Sequence, residues 1–205
     1  MKIPEIKAPF LTDQDIRLKS ETFLQKYNSN HKIPVPIETI VEFDLNINII
    51  PISGLQNILT VDGFISNDFN SIYVDNDMLE RIESRYLFTL AHELGHMFLH
   101  SSLYNSLSIN AIEDYEYFLN NINSKQYGHF EYQAYLFAAL ILVPPIPLEE
   151  SFQYSVSRLK KESFDLTKDG NIEIATRFIA RSLQSKFKVS EATVLKRLKQ
   201  DNLSL

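Results

Sequence analysis

Apolar residues recur at helical spacing in several blocks of this 205-residue chain and at strand spacing in only three. TDQDIRLKSETFLQKYN (12–28) reads as a surface helix, with Ile16, Phe23 and Leu24 on one side and Thr12 or Asp13 as its N-cap. HKIPVP (31–36) breaks the pattern with two prolines, and PIETIVEFDL (36–45) then reads as a short helix that tolerates Pro36 in its first turn. INIIPI (47–52), VDGFISND (61–68) and SIYVDND (71–77) are strand-like, the last two joined by a turn-like DFN that predicts a hairpin. Asp77 with Glu80 resembles a capping box, so a helix is expected from about 78 through His100. Residues 101–126 are polar, rich in Asn and Ser, and read as irregular around an acidic-aromatic piece, EDYEYF (113–118). A second long helix is expected over 129–143, ended by Pro144 and Pro145, and three more helical patterns lie near 148–161, 171–187 and 190–200.

Composition narrows the class. With 44% hydrophobic residues, 14 Phe and 10 Tyr, the chain can bury a real core. Its length favours one domain with a small appendage, drawn here as a body over 1–150 and a helical extension over 151–205 packed on it, or all as one domain. The absence of cysteine excludes disulfides and cysteine-ligated metals. MKIPEIKAPFLTDQD holds no apolar stretch long enough for a signal peptide, and AYLFAALILVPPIP (134–147) is too short for a bilayer and broken by prolines. The expectation is a soluble cytoplasmic protein with no membrane partner. The net charge of −6 is uneven: residues 1–150 carry 9 Lys and Arg against 20 Asp and Glu, whereas 151–205 carry 11 against 6. An acidic body repels nucleic acid; a basic tail attracts it or an acidic partner, or is simply solvated helix surface.

The chemistry concentrates in TLAHELGHMFLH (89–100), which holds three of the five histidines. On a helix His92 and His96 lie on one face and can reach one ion together. Two imidazoles and a carboxylate suit zinc and leave a position for water, with manganese as the alternative metal. Glu93 follows the first ligand and can take a proton from that water, which is H-E-x-x-H with its mechanism attached. Leu87, Leu90, Leu94 and Phe98 supply the buried side of the same helix. Gly95 costs a helix interior about 1 kcal/mol, so its expected use is the close approach of another backbone or of substrate. His100 lies about 12 Å along the axis from His92, too far for one ion to reach all three, and is expected at the helix end or behind the ligands.

A third ligand must come from elsewhere. The continuation H-E-x-x-H-x-x-G-x-x-H is excluded, because Leu99 and Ser102 stand at its Gly and last His positions. Carboxylate candidates are Glu113, Asp114, Glu116, Glu131, Glu149 and Glu150. Glu131 is favoured: it shares a helix face with Ala134, Ala138 and Ile141 or Leu142, and a lone carboxylate on an apolar face needs a partner. Glu113 and Glu116 read as solvated loop residues, and Glu149 and Glu150 fit the acidic start of the next helix.

RYLFTLAHELGHMFLH followed by EYQAYLFAALILVP resembles the ImmA/IrrE family of zinc metallopeptidases, whose pattern runs R-x-x-F-T-L-A-H-E-L-G-H and then E-x-x-A-x-x-F-A-A-x-L-L-M-P. IPVPIETIVE, DGFIS, IYVD and FKVSEATVLKRL extend the likeness over about residues 20 to 200, with Tyr135 where Asn is common and Val143 where Met is common. The resemblance implies that His92, His96 and Glu131 bind zinc and that Glu93 is the general base. It also implies an α+β, zincin-like fold: a small twisted sheet, an active-site helix, a backing helix with the third ligand, and a helical C-terminal part. Characterised members of that family cleave a helix-turn-helix repressor and so release its genes, often in mobile elements or stress circuits. The stretch between His96 and Glu131 is particular to this chain, so the lip of the cleft is not predicted.

Peptide hydrolysis needs a second donor for the oxyanion, and Tyr127, His129 and Tyr132 are candidates by their nearness to Glu131. SIYVDND is expected to pair with an extended substrate by edge addition. A rival reading takes RSLQSKFKVSEATVLKRLKQ (181–200) as a DNA-reading helix pair bearing Lys186, Lys188, Lys196, Arg197 and Lys199, which makes the chain a regulator with a non-catalytic metal site. The plain alternative is a helix pair with Phe187, Val189, Val194 and Leu198 facing inward. A third reading is a module that sequesters a repressor without cutting it.

Overall fold

The computed structural model describes residues 9–104, 107, 109–162, 164–168 and 170–205. Among the described residues, three strands form a sheet: β1 (Asn48–Ile52), β2 (Gly63–Ile65) and β3 (Ser71–Asp75). Their order is β1-β3-β2, with β1 parallel and β2 antiparallel to β3. The predicted hairpin is therefore present as β2 and β3. The expected edge pairing through SIYVDND is not available, because β3 is the central strand and its neighbours take both of its hydrogen-bonding sides. Sheet order depends on where β1 docks, and alternation along one strand does not encode that.

Helix α1 (Asp13–Tyr27) is capped by Thr12, whose hydroxyl accepts from the Asp15 amide while Asp15 reaches back to the Thr12 amide. Helix α2 begins over Ile37–Thr39 and continues as a π-helical turn over Ile40–Asp44, burying Ile37, Ile40 and Val41. A short α3 (Leu55–Leu59), absent from the sequence reading, tucks Leu55 and Leu59 inward between β1 and β2.

The single helix expected from 78 is two. Asp75, not Asp77, is the cap: its carboxylate accepts from the Met78 amide at 3.2 Å and starts α4 (Asn76–Arg81). Ile82 breaks the run, and α5 (Glu83–Tyr104) follows, leaving helical geometry at His100 (φ −123°, ψ 15°). Within the segment read as irregular lies α6 (Ile112–Asn121), which buries Tyr115 and Phe118 three residues apart. Helix α7 (Ser124–Leu142) starts earlier than predicted because the Asn123 side chain caps the Lys125 and Gln126 amides. Then come α8 (Pro145–Lys161), α9 (Asn171–Phe187) and α10 (Glu191–Gln200).

The core is built on α5 against α7. Both faces of α7 are covered from Ala134 to Val143, so its apolar run is a core helix. α1 packs on the same pair through Phe23, whose ring lies 5.3 Å from Phe98 and 5.7 Å from Phe137. Buried residues of α9 and α10 (Ala175, Ile179, Leu183, Val194, Leu198) join the same apolar cluster, and residue 150 lies within α8. Arg197 is wholly buried; it donates to the Val143 carbonyl and to Asp201, which also receives Arg17 of α1 at 2.6 Å. No single helix among the described residues is long and apolar enough to cross a membrane; α7 and α8 pass such a test only as a pair bent by 61°.

Candidate metal centre

His92 and His96 stand one turn apart on α5, and Glu131 faces them from α7. His92 Nε2 lies 3.0 Å from His96 Nε2 and 3.2 Å from Glu131 Oε2, and His96 Nε2 lies 3.5 Å from Glu131 Oε1. One ligand atom from each residue falls within 4.8 Å of the others. Gly95 makes this approach possible. A Cβ there would sit 2.9 Å from both Cα and O of Ala134, so the two helices touch backbone to backbone. Glu131, one turn before Ala134, is thereby set opposite the histidine pair.

The donor set fits a divalent cation. Glu131 Oε1 is buried without a hydrogen-bond partner, although buried carboxylate oxygens are nearly always satisfied. Two imidazole nitrogens converge on the same point. Nitrogen and oxygen donors in this number suit zinc, and a cation there would satisfy all three groups at once.

Around these residues is a cleft of about 310 Å³, lined also by Glu93, Asp62, Arg85, Tyr115 and Tyr127. Glu93 is 5% exposed. Burial pushes its carboxyl up to about 7; the Glu131 charge adds to this, while His92 and the Ile65 backbone amide oppose it. Burial pulls the His92 imidazole down, but its hydrogen bond to Glu131 and the Glu131 and Glu93 charges together prevail and raise it. His96 is held well below the usual range by burial and then by His92 and His100. His100 is lowered to about 4, chiefly by burial.

Of the three proposed donors beside Glu131, the structure brings one to the cleft. Tyr127 is one turn before Glu131 on α7 and lines the cleft with it and with Tyr115; burial, then the Glu131 and Glu93 charges, raise its pKa. His129 is exposed and lies outside the cleft lining. Tyr132 turns to α1, where its hydroxyl bonds the Asp13 carboxylate at 3.0 Å. The helical phase separates them: residues 127 and 131 share a face, and 129 and 132 do not. His100 lies behind the ligands, with Nδ1 3.1 Å from His96 Nδ1 and Nε2 2.8 Å from Gln133 Oε1. Glu113, Glu116, Glu149 and Glu150 are exposed, and Asp114 accepts from the amides of Asn110 and Ala111 ahead of α6.

Two features of the cleft were absent from the sequence reading. Tyr115 reaches it from α6 and stacks on Phe64 at 4.8 Å, which stacks on Tyr73 at 4.7 Å. The spacing of Ile112, Tyr115, Phe118 and Leu119 is helical and carried that signal. Arg85 clamps Asp62 with two bonds of 2.7 and 2.6 Å, fixing the approach to β2 against α5. At the C-terminal end, Phe187, Val189, Val194 and Leu198 face inward. Lys186 bonds Ser151, Lys188 pairs with Glu83, Lys196 lies 4.2 Å over the Tyr135 ring, and Lys199 is exposed.

A family model, Peptidase_M78, described as the IrrE N-terminal-like domain, matches residues 44–199, a span that contains every residue of the cleft. No curated protein matches the chain.

Proposed function

The chain belongs to the IrrE N-terminal-like peptidase family, Peptidase_M78, and from that premise we propose that it is a zinc-dependent endopeptidase in which His92, His96 and Glu131 hold the metal and Glu93 is the general base. The observation that carries this reading is the convergence of three donor groups on one point, with an orphaned buried oxygen on Glu131 and a buried Glu93 beside them. Zinc in such a set supplies Lewis acidity towards a water molecule and a peptide carbonyl.

The remaining steps belong to the protein. Glu93 accepts the proton of the attacking water on its carboxylate and returns it to the leaving amine nitrogen. Burial of Glu93 raises its proton affinity above that of a solvated carboxylate, which suits a group that must take a proton from water and release it again. The Tyr127 hydroxyl, on the cleft wall beside Glu131, donates to the oxyanion as it develops. β2 is the edge strand nearest this chemistry, and Gly63 lines the cleft, so an extended peptide lies along β2 instead of β3.

The substrate in this proposal is a helix-turn-helix transcriptional repressor cut in an extended linker, with relief of repression as the result. That part rests on the likeness to repressor-cleaving ImmA/IrrE peptidases. The DNA-reading alternative for 181–200 has less support, since Lys186, Lys188, Lys196 and Arg197 are engaged within the molecule. The test is co-incubation with a helix-turn-helix repressor encoded beside this chain, with and without chelator, read by intact mass. Cleavage is expected only without chelator and not with Glu93→Gln; cleavage by a zinc-loaded Glu93→Gln protein would falsify the assignment of the base.

A further inference from the structure

We infer that His100 is a positioning residue that sets the tautomer of His96 through a buried relay anchored on the backbone carbonyl of Pro9. The inference rests on the reading of His96 as a metal ligand, and the relay can be followed from its fixed end. The Pro9 carbonyl can only accept, and Gln133 Nε2 donates to it at 3.0 Å. That bond turns Gln133 Oε1 the other way, to 2.8 Å from His100 Nε2. An amide oxygen also only accepts, so the hydrogen on this ring sits at Nε2.

His100 is wholly buried, and its two hydrogen-bonding neighbours, the Gln133 amide and the His96 ring, bring no carboxylate to it, which favours a neutral imidazole. Its Nδ1 therefore presents a lone pair. His96 Nδ1 stands 3.1 Å away, and two lone pairs facing at that distance repel, so His96 Nδ1 carries the hydrogen. The other nitrogen of His96, Nε2, is left with its lone pair directed at Glu131 and His92. That lone pair is what a metal requires of a ligating imidazole.

Two further features hold the relay in place. Both rings lie on the same buried phenyl group: His96 is 4.1 Å and His100 4.3 Å from the Phe130 ring, at interplanar angles of 28° and 29°. The backbone of α5 leaves helical geometry at His100 itself, where the ring meets α7. Residues distant in sequence, Pro9, His100, Gln133 and His96, thus act as one unit behind the metal centre.

Long-range proton–nitrogen NMR of the metal-stripped wild type reads both tautomers directly. His96 is expected as the Nδ1–H form and His100 as the Nε2–H form; His96 in the Nε2–H form overturns the inference. Zinc affinity, measured by competition with a chromogenic chelator, supplies the second readout. His100→Phe keeps a ring on Phe130 but removes the acceptor, and is expected to weaken zinc binding by roughly 10- to 100-fold. Binding within about twofold of wild type overturns the inference. If His100→Phe does not fold, the wild-type tautomers decide. A wild type that binds no zinc sinks the metal reading and this inference with it, whereas tight zinc binding with the wrong tautomer sinks the relay alone.

Discussion

Gly95→Ala is the substitution that most directly probes how this site is built. The new Cβ would lie 2.9 Å from Cα and O of Ala134 and 3.2 Å from its Cβ, and the first two are backbone atoms that no rotamer change can move. Ordinary carbon contacts are about 3.5–4.0 Å, so α5 and α7 must part by something over half an ångström at this point. Two terms oppose each other in stability. Overpacking costs about 1–3 kcal/mol, and replacing a helix-interior glycine by alanine returns about 1 kcal/mol. The net expectation is a loss of about 0–2 kcal/mol, small because the terms partly cancel. Zinc binding has no such offset. The ligands lie on the two helices being separated, within one turn of the contact, and coordination tolerates only about 0.2 Å. Zinc affinity should fall at least about tenfold, or about 1.4 kcal/mol. Gly128→Ala is the control: it lies in α7 with nothing within 4 Å of a built Cβ, and should gain about 1 kcal/mol from propensity alone. Urea unfolding of the stripped proteins and chelator competition measure both quantities. If Gly95→Ala gains stability like the control and binds zinc as wild type does, backbone contact between α5 and α7 does not set the site.

The remaining predictions concern the charged and hydroxyl groups. Burial raises the Glu93 carboxyl from 4.5 to about 7, so between those values the folded chain keeps a proton that the unfolded chain has released. In the metal-stripped protein Glu93 therefore subtracts up to about 1.4 kcal/mol per pH unit from the stability slope between about 4.5 and about 7, against the opposite contributions of the lowered His96 and His100, and Glu93→Gln should make stability rise more steeply with pH by that amount; an unchanged slope in urea titrations of the variant would refute the assignment. Tyr127→Phe should lower kcat by roughly 10²- to 10³-fold with zinc affinity retained, and a parallel loss of both would mean that the phenol supports the metal site instead of the oxyanion. Arg197→Ala should cost about 1–3 kcal/mol, because it removes a buried side chain and leaves the Val143 carbonyl without its donor while Asp201 keeps Arg17, and Lys199→Ala on the exposed face should stay within about 0.5 kcal/mol; calorimetry that finds the two alike removes Arg197 as the anchor of α10.

What the sequence determined by itself is what depends on neighbours along one helix. His92, Glu93 and His96 were legible because residues four apart share a face wherever a helix forms. Glu131 was legible because alanines at 134 and 138 mark a face made for close packing, and Gly95 marked the matching point on α5. Tertiary structure decided the rest. Tyr127 separates from His129 and Tyr132 only once Asn123 caps α7 and brings 127 into phase with 131. α6 was hidden because its apolar stripe is short and its polar majority dominates the local pattern, and its helix is held by Tyr115 stacking on a strand far away in sequence. The central place of β3 and the joining of Pro9, Gln133 and His100 share one cause: each needs segments distant along the chain to meet, and a period read from neighbours holds no information about which distant segment arrives.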